Sequence, residues 1–248
     1  MKKSLALLAV LGCFSQSSMA ATTFTMANLG TVATAQTNFR ALSEDFGSAL
    51  SFKPASPAAS LGITGFDISL EVSGTDMTKS AAAWKAVTGN TADSTLYVPK
   101  LYVAKGLPFG IDISAFYTAI PTTDIKVTGA ALSYEILEGD VAIPAIALRA
   151  STTTLSGISE YSLSTKSVDI SISKGFIGFS PYAGVGQVWV DSSTTNATLL
   201  GYGLQGEKFS LSKMFVGVNF NLGLPNFALD VDKTGDAQTV TAKLGLRW

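Results

Sequence analysis

The last ten residues read Thr239-Val240-Thr241-Ala242-Lys243-Leu244-Gly245-Leu246-Arg247-Trp248. Val240, Ala242, Leu244, Leu246 and Trp248 recur at every second position, and Thr239, Thr241, Lys243, Gly245 and Arg247 fill the positions between them. Successive side chains of a strand point to opposite sides, so this stretch is a strand with one apolar and one polar face. The pattern recurs upstream. Phe66, Ile68, Leu70 and Val72 oppose Asp67, Ser69, Glu71 and Ser73; Leu132, Tyr134 and Ile136 oppose Ser133 and Glu135; Phe227, Leu229 and Val231 oppose Ala228, Asp230 and Asp232. In 182–191 the apolar set is Tyr182, Gly184, Gly186, Val188 and Val190, against Gln187 and Asp191. With similar segments near 95–105, 111–114, 146–151, 168–173 and 214–222, the count reaches about ten strands, within a range of 8–12.

The polar face decides what kind of sheet this is. Charged residues make up 14% of the chain, against about 25% in ordinary soluble domains. The polar positions are Ser, Thr, Gly and Asn with isolated charges of both signs, which suits an enclosed interior better than a wet outer surface. The expected fold is all-β: a closed antiparallel transmembrane β-barrel with its apolar side chains toward lipid. Candidate lumen-facing charges are Asp67, Glu71, Asp112, Glu135, Arg149, Asp169, Asp191, Asp230, Lys243 and Arg247. Connection lengths agree with a barrel of short periplasmic turns and longer external loops. The short set is 106–110, 139–143, 175–179 and 223–226; the other set, about 74–94, 120–124, 155–161, 191–210 and 233–238, contains the two longest connections.

Composition removes several activities. The chain has no His, which excludes His-dependent triads and His-ligated zinc. Its 17 Lys and Arg against 18 Asp and Glu form no basic cluster, so no nucleic-acid partner is expected. No cofactor or metal site is expected either. Asp230 and Asp232 share a face and could share a proton, but pairing with Lys243 or Arg247 on the neighbouring strand is the simpler expectation. The chain is therefore read as a non-enzyme.

The final strand, 239–248, resembles the C-terminal strand of Gram-negative outer-membrane β-barrel proteins, with alternating apolar residues and a terminal aromatic; Trp248 stands where Phe is usual. The resemblance implies export, periplasmic chaperones, and recognition of Val240, Leu244, Leu246 and Trp248 by the barrel-assembly machinery. It also implies outer-membrane lipid as surroundings, and identifies no particular cargo.

The start of the chain is organised differently. Lys2 and Lys3, the apolar run from Leu5, and Ser18-Met19-Ala20 read as a secretory signal peptide over 1–20; Cys13 in a loose lipoprotein-like box is the rival reading. Residues 21–59 form an N-terminal segment. In it Phe39, Leu42, Phe46 and Leu50 recur at helical spacing, so 36–50 is a short amphipathic helix, set either as a lumen plug or on the rim. Residues 79–88 are a second helix candidate, and the barrel occupies 60–248. Ten strands enclose a narrow interior, which leaves three roles: a structural or narrow, gated small-solute barrel; a surface-interaction protein acting through loops 74–94 and 191–210; or a carrier of a hydrophobic molecule such as a lipid. Replacing Trp248 with Glu is expected to impair insertion, read as loss of heat-modifiable gel migration; normal assembly of that variant would refute the terminal-strand argument.

Overall fold

The computed structural model describes residues 24–89, 94–119 and 124–248. The signal peptide and Cys13 lie outside the described residues, as do 90–93 and 120–123 within the longer loops. Ten strands are described: β1 Phe66–Asp76, β2 Thr95–Leu107, β3 Ile111–Ala119, β4 Lys126–Leu137, β5 Ala145–Ser156, β6 Tyr161–Ser173, β7 Phe179–Thr194, β8 Glu207–Asn221, β9 Pro225–Thr234 and β10 Ala237–Arg247. Each pairs antiparallel with its neighbours in sequence, and β1 pairs with β10, closing the barrel. Three α-helices are described beside it: α1 Ala35–Leu50, α2 Ala81–Val87 and α3 Ala197–Gly201.

Closure follows from the register. Glu71 lies opposite Lys243 and Asp67 opposite Arg247, so charges of opposite sign face each other inside the seam. Hydroxyl pairs continue it upward: Ser73 to Thr241 at 2.9 Å and Thr75 to Thr239 at 2.8 Å. At the bottom, Phe66 and Trp248 exchange backbone hydrogen bonds of 2.8 and 3.1 Å, and their rings stack at 5.3 Å. The terminal aromatic thus completes the last rung of the closing ladder.

The apolar side chains of most strands point outward and stay exposed: Ile68 and Leu70, Leu101 and Val103, Leu132 and Tyr134, Ile170 and Ile172, Met214 and Val216, Leu229 and Val231, Val240 and Leu246. Such a belt suits hydrocarbon, not water. Aromatics gather at the short-turn end: Phe66, Phe179, Phe220, Phe227 and Trp248. No described helix is long and apolar enough to cross a membrane.

The helix expected at 36–50 is found one residue longer. It packs on inward-facing side chains, with contacts to β1, β2, β6, β7, β8 and β10. Small inward residues make room for it, among them Thr75, Thr239, Thr241, Thr165 and Ser192. Gly47 marks the closest approach, because a Cβ there would stand 2.6 Å from a Val190 methyl. Replacing Gly47 with Leu is expected to push α1 off the β7 wall at a cost of about 1–3 kcal/mol, seen as a lower unfolding temperature in detergent; an unchanged transition would contradict this packing.

Candidate functional site in the barrel lumen

The lumen has two halves. Toward the long loops it is apolar. Phe39, Leu42, Phe46 and Leu50 of α1 are buried with Met26, Leu29, Leu163, Val188 and Val190. Phe46 meets Trp84 of α2 edge-on at 5.4 Å, and Phe39 meets Tyr161 edge-on at 5.8 Å. Ser43 joins the wall through the Ser192 hydroxyl, which donates to it at 2.8 Å. At the mouth, Arg40 pairs with Glu44 at 2.7 Å and Glu207 at 2.9 Å, and Lys79 pairs with Glu44 and with Asp236 at 2.9 Å. The Lys79 ammonium holds the Asp236 carboxyl below the usual aspartate range.

Below α1 the chain runs extended through the lumen from Ser51 to Leu61, with no strand alongside. Its backbone groups take partners from wall side chains instead. Lys53 Nζ donates to the Ser48 carbonyl in the last turn of α1 at 2.7 Å and to Asp232 at 2.6 Å. Lys213 donates to the Phe52 carbonyl at 2.7 Å, and Lys243 to that of Ala55 at 3.5 Å. Farther along, the Ala58 N–H donates to Ser173, the Ser60 N–H to Glu135 and the Leu61 N–H to Asp112, at 3.0–3.1 Å. Wall cations therefore serve carbonyls in the upper stretch, and wall oxygens serve N–H groups in the lower one.

The wall charges also pair among themselves. Lys243 meets Asp67 at 2.7 Å and Glu71 at 4.0 Å; Arg149 and Lys213 meet Asp169 at 3.5 and 3.9 Å. Lys53 and Asp232 are fully buried side chains. A polar cavity of about 20 Å³ remains between Asp67, Asp112, Arg149 and Arg247, enough for about one water. Among the described residues no group of acidic, Cys or His side chains is placed to hold a metal ion.

Of the ten lumen candidates, Asp67, Glu71, Arg149, Asp169, Asp230 and Lys243 are buried inside, and Asp112, Glu135 and Arg247 face inward at the short-turn end. Asp191 is a correction: it faces outward and pairs with Lys208 at 2.9 Å. The phase of β7 was inverted, since Tyr182, Val188 and Val190 point inward and Val185 and Trp189 outward. An apolar face marks lipid only where the lumen is polar, and here α1 makes it apolar. The pairing expected for Asp232 is also corrected, because its partner is Lys53, 179 positions away in sequence. Asp230 faces the Tyr182 hydroxyl on β7. Of the terminal-strand residues, Val240, Leu246 and Trp248 are exposed on the outer wall and Leu244 is partly covered. Three buried cations lie outside the expected set: Lys53, Lys213, and Lys100 of β2, whose ammonium donates to the Ser73 hydroxyl at 3.3 Å. Lys213 continues the inward phase of Phe215 and Asn219 on β8, so its alternation was readable, but nothing local to Lys53 announces a partner.

Closed wall, outward apolar belt and charged interior together define an outer-membrane-type β-barrel. No protein-family model matches the chain, and no curated protein sequence matches it. Among solved structures it is similar to the N-terminal β-barrel domain of Pseudomonas aeruginosa OprF, at 12% identity over 73% of this chain and 97% of that one, with a TM-score of 0.35. It is similar to the KdgM porin at 9% identity over 73% and 99%, TM-score 0.39, and to OprG from Pseudomonas aeruginosa at 8% identity over 77% and 97%, TM-score 0.31.

Removing one member of a buried ion pair leaves an uncompensated charge, at a cost of about 3–5 kcal/mol. Lys53→Met is therefore expected to lower the midpoint of urea unfolding in lipid vesicles strongly. Adding Asp232→Asn to it should recover much of the loss; two independent, additive losses would show that the pair is not coupled.

Proposed function

We propose that the protein is an integral barrel of the bacterial outer membrane that is closed along its axis and serves a structural role, with solute passage only if its lumen segment leaves. The observation that carries this reading is the threading of 35–61 through the lumen, fixed by the fully buried Lys53–Asp232 pair. The short-turn end then faces the periplasm and the long loops face outward. A diffusion pore needs a continuous wet path, and the apolar packing around α1 opposes one. A gated conduit is the second reading, favoured by the ion pairs of Arg40 and Lys79, whose half-exposed side chains hold the upper end of the segment where water and salt reach them.

Planar-bilayer recording separates these. The full-length protein is expected to be electrically silent, and a variant lacking 24–61 that still shows heat-modifiable migration is expected to give discrete conductance steps. Steady channel openings from the full-length protein would overturn the closed reading.

A further inference from the structure

The two ends of the barrel wall meet at the short-turn end, where Phe66 and Trp248 exchange backbone hydrogen bonds. The segment ahead of β1 leaves that end. Followed back from Leu61, it rises through the lumen along 51–61 and α1, and Phe24 lies at the opposite mouth, beside Trp84 and Tyr161. With 16 residues, α1 is about 24 Å long. Together with the extended stretch below it, the helix covers more than the ~25 Å apolar band of such barrels.

Residues 24–34 are seated among the long loops. The Thr25 N–H donates to the Val87 carbonyl, at the end of α2, at 2.9 Å. The Phe24 ring lies 6.1 Å from Phe46 of α1, 6.4 Å from Trp84 of α2 and 6.1 Å from Tyr161 at the start of β6. Met26 and Leu29, on one short 3-10 turn, are 1% and 0% exposed, buried in one cluster with Val87 and with Leu199 and Leu204 of the β7–β8 connection. The chain then reverses. The Thr34 and Ala35 N–H groups donate to the Thr31 carbonyl at 3.0 and 2.8 Å, and the Thr31 N–H donates to the Thr34 hydroxyl at 3.0 Å. The Asn38 amide donates back to the Leu29 carbonyl at 2.7 Å, which ties the turn to α1. Gln36 ties α1 to the β7–β8 connection: its side chain accepts from the Gln205 N–H at 2.9 Å and donates to the Gln205 carbonyl at 3.3 Å. Ala27, Asn28, Val32 and Ala33 stay exposed.

We infer that the barrel displays its own amino-terminal segment on the outer side of the membrane, as a lid of residues 24–34 keyed between the long loops. The chain passes from the periplasmic mouth, where β1 starts, through the lumen to the outer mouth, so the segment ahead of α1 is carried across the bilayer inside the wall and out of contact with lipid. Burial of Phe24, Met26 and Leu29 is the force that seats it. An amino-terminal segment left on the periplasmic side would forgo that burial and would leave Leu199, Leu204 and Trp84 without the apolar side chains that pack on them. This inference rests on the orientation proposed above, with the long loops outward.

The test uses the full-length chain with Cys13, the sequence's one cysteine, replaced by Ala. Single variants Ala27→Cys and Val32→Cys probe the lid, with Ser159→Cys in the β5–β6 connection and Val141→Cys in the β4–β5 turn as references. Each is produced in a Gram-negative host, and its folding is checked by heat-modifiable migration. Intact and permeabilised cells are then treated with a polyethylene-glycol maleimide too bulky to cross the outer membrane, and labelling is read as a gel shift. Positions 27 and 32 are expected to react on intact cells to the same extent as 159, while 141 reacts only after permeabilisation. Reaction at 159 on intact cells with 27 and 32 silent would overturn the inference and leave the orientation standing. Reaction at 141 on intact cells with 159 silent would overturn the orientation, and this placement with it.

Discussion

Everything in this molecule depends on the sheet having no edge. In hydrocarbon an unpaired backbone N–H or carbonyl has no water to turn to and costs several kcal/mol. The β1–β10 ladder removes that liability, and its register sets Lys243 beside Asp67 and Glu71 while the Phe66 and Trp248 rings stack outside. One hydrogen-bonded seam therefore fixes which residues meet in the lumen and which meet lipid.

The same rule governs the interior, with a different solution. Residues 51–61 cross the lumen without a neighbouring strand, so their polar groups must find partners among side chains. Lysines of β8 and β10 supply donors to carbonyls, and acids and a serine of β3, β4 and β6 accept from N–H groups. Four of the wall charges, Lys213, Lys243, Asp112 and Glu135, thus substitute for a missing ladder. Their mutual pairing limits the desolvation penalty that isolated charges would incur.

Much of this was legible in the sequence. Period-two alternation in β1, β4, β6, β9 and β10 set both strand positions and the outward face, because lipid on one side and polar groups on the other impose opposite chemistries. The spacing of Phe39, Leu42, Phe46 and Leu50 gave α1. What periodicity could not show is what lies across the lumen. Val188 and Val190 face α1 rather than lipid, so β7 read backwards and Asp191 was misplaced. Lys53 and Asp232 are remote in sequence, and only the three-dimensional path of the segment brings them together. The backbone partners of Asp112 and Glu135 were hidden for the same reason.

The lumen segment leads directly into β1, the strand that the last-made strand must find. The closed cylinder consequently surrounds a tether lying along its axis, as a sleeve is stitched around a cord. Once sewn, the cord clears the bore only by sliding lengthwise out of the short-turn mouth, the end at which Phe66 anchors it, and that slide begins with the release of Lys53 from Asp232.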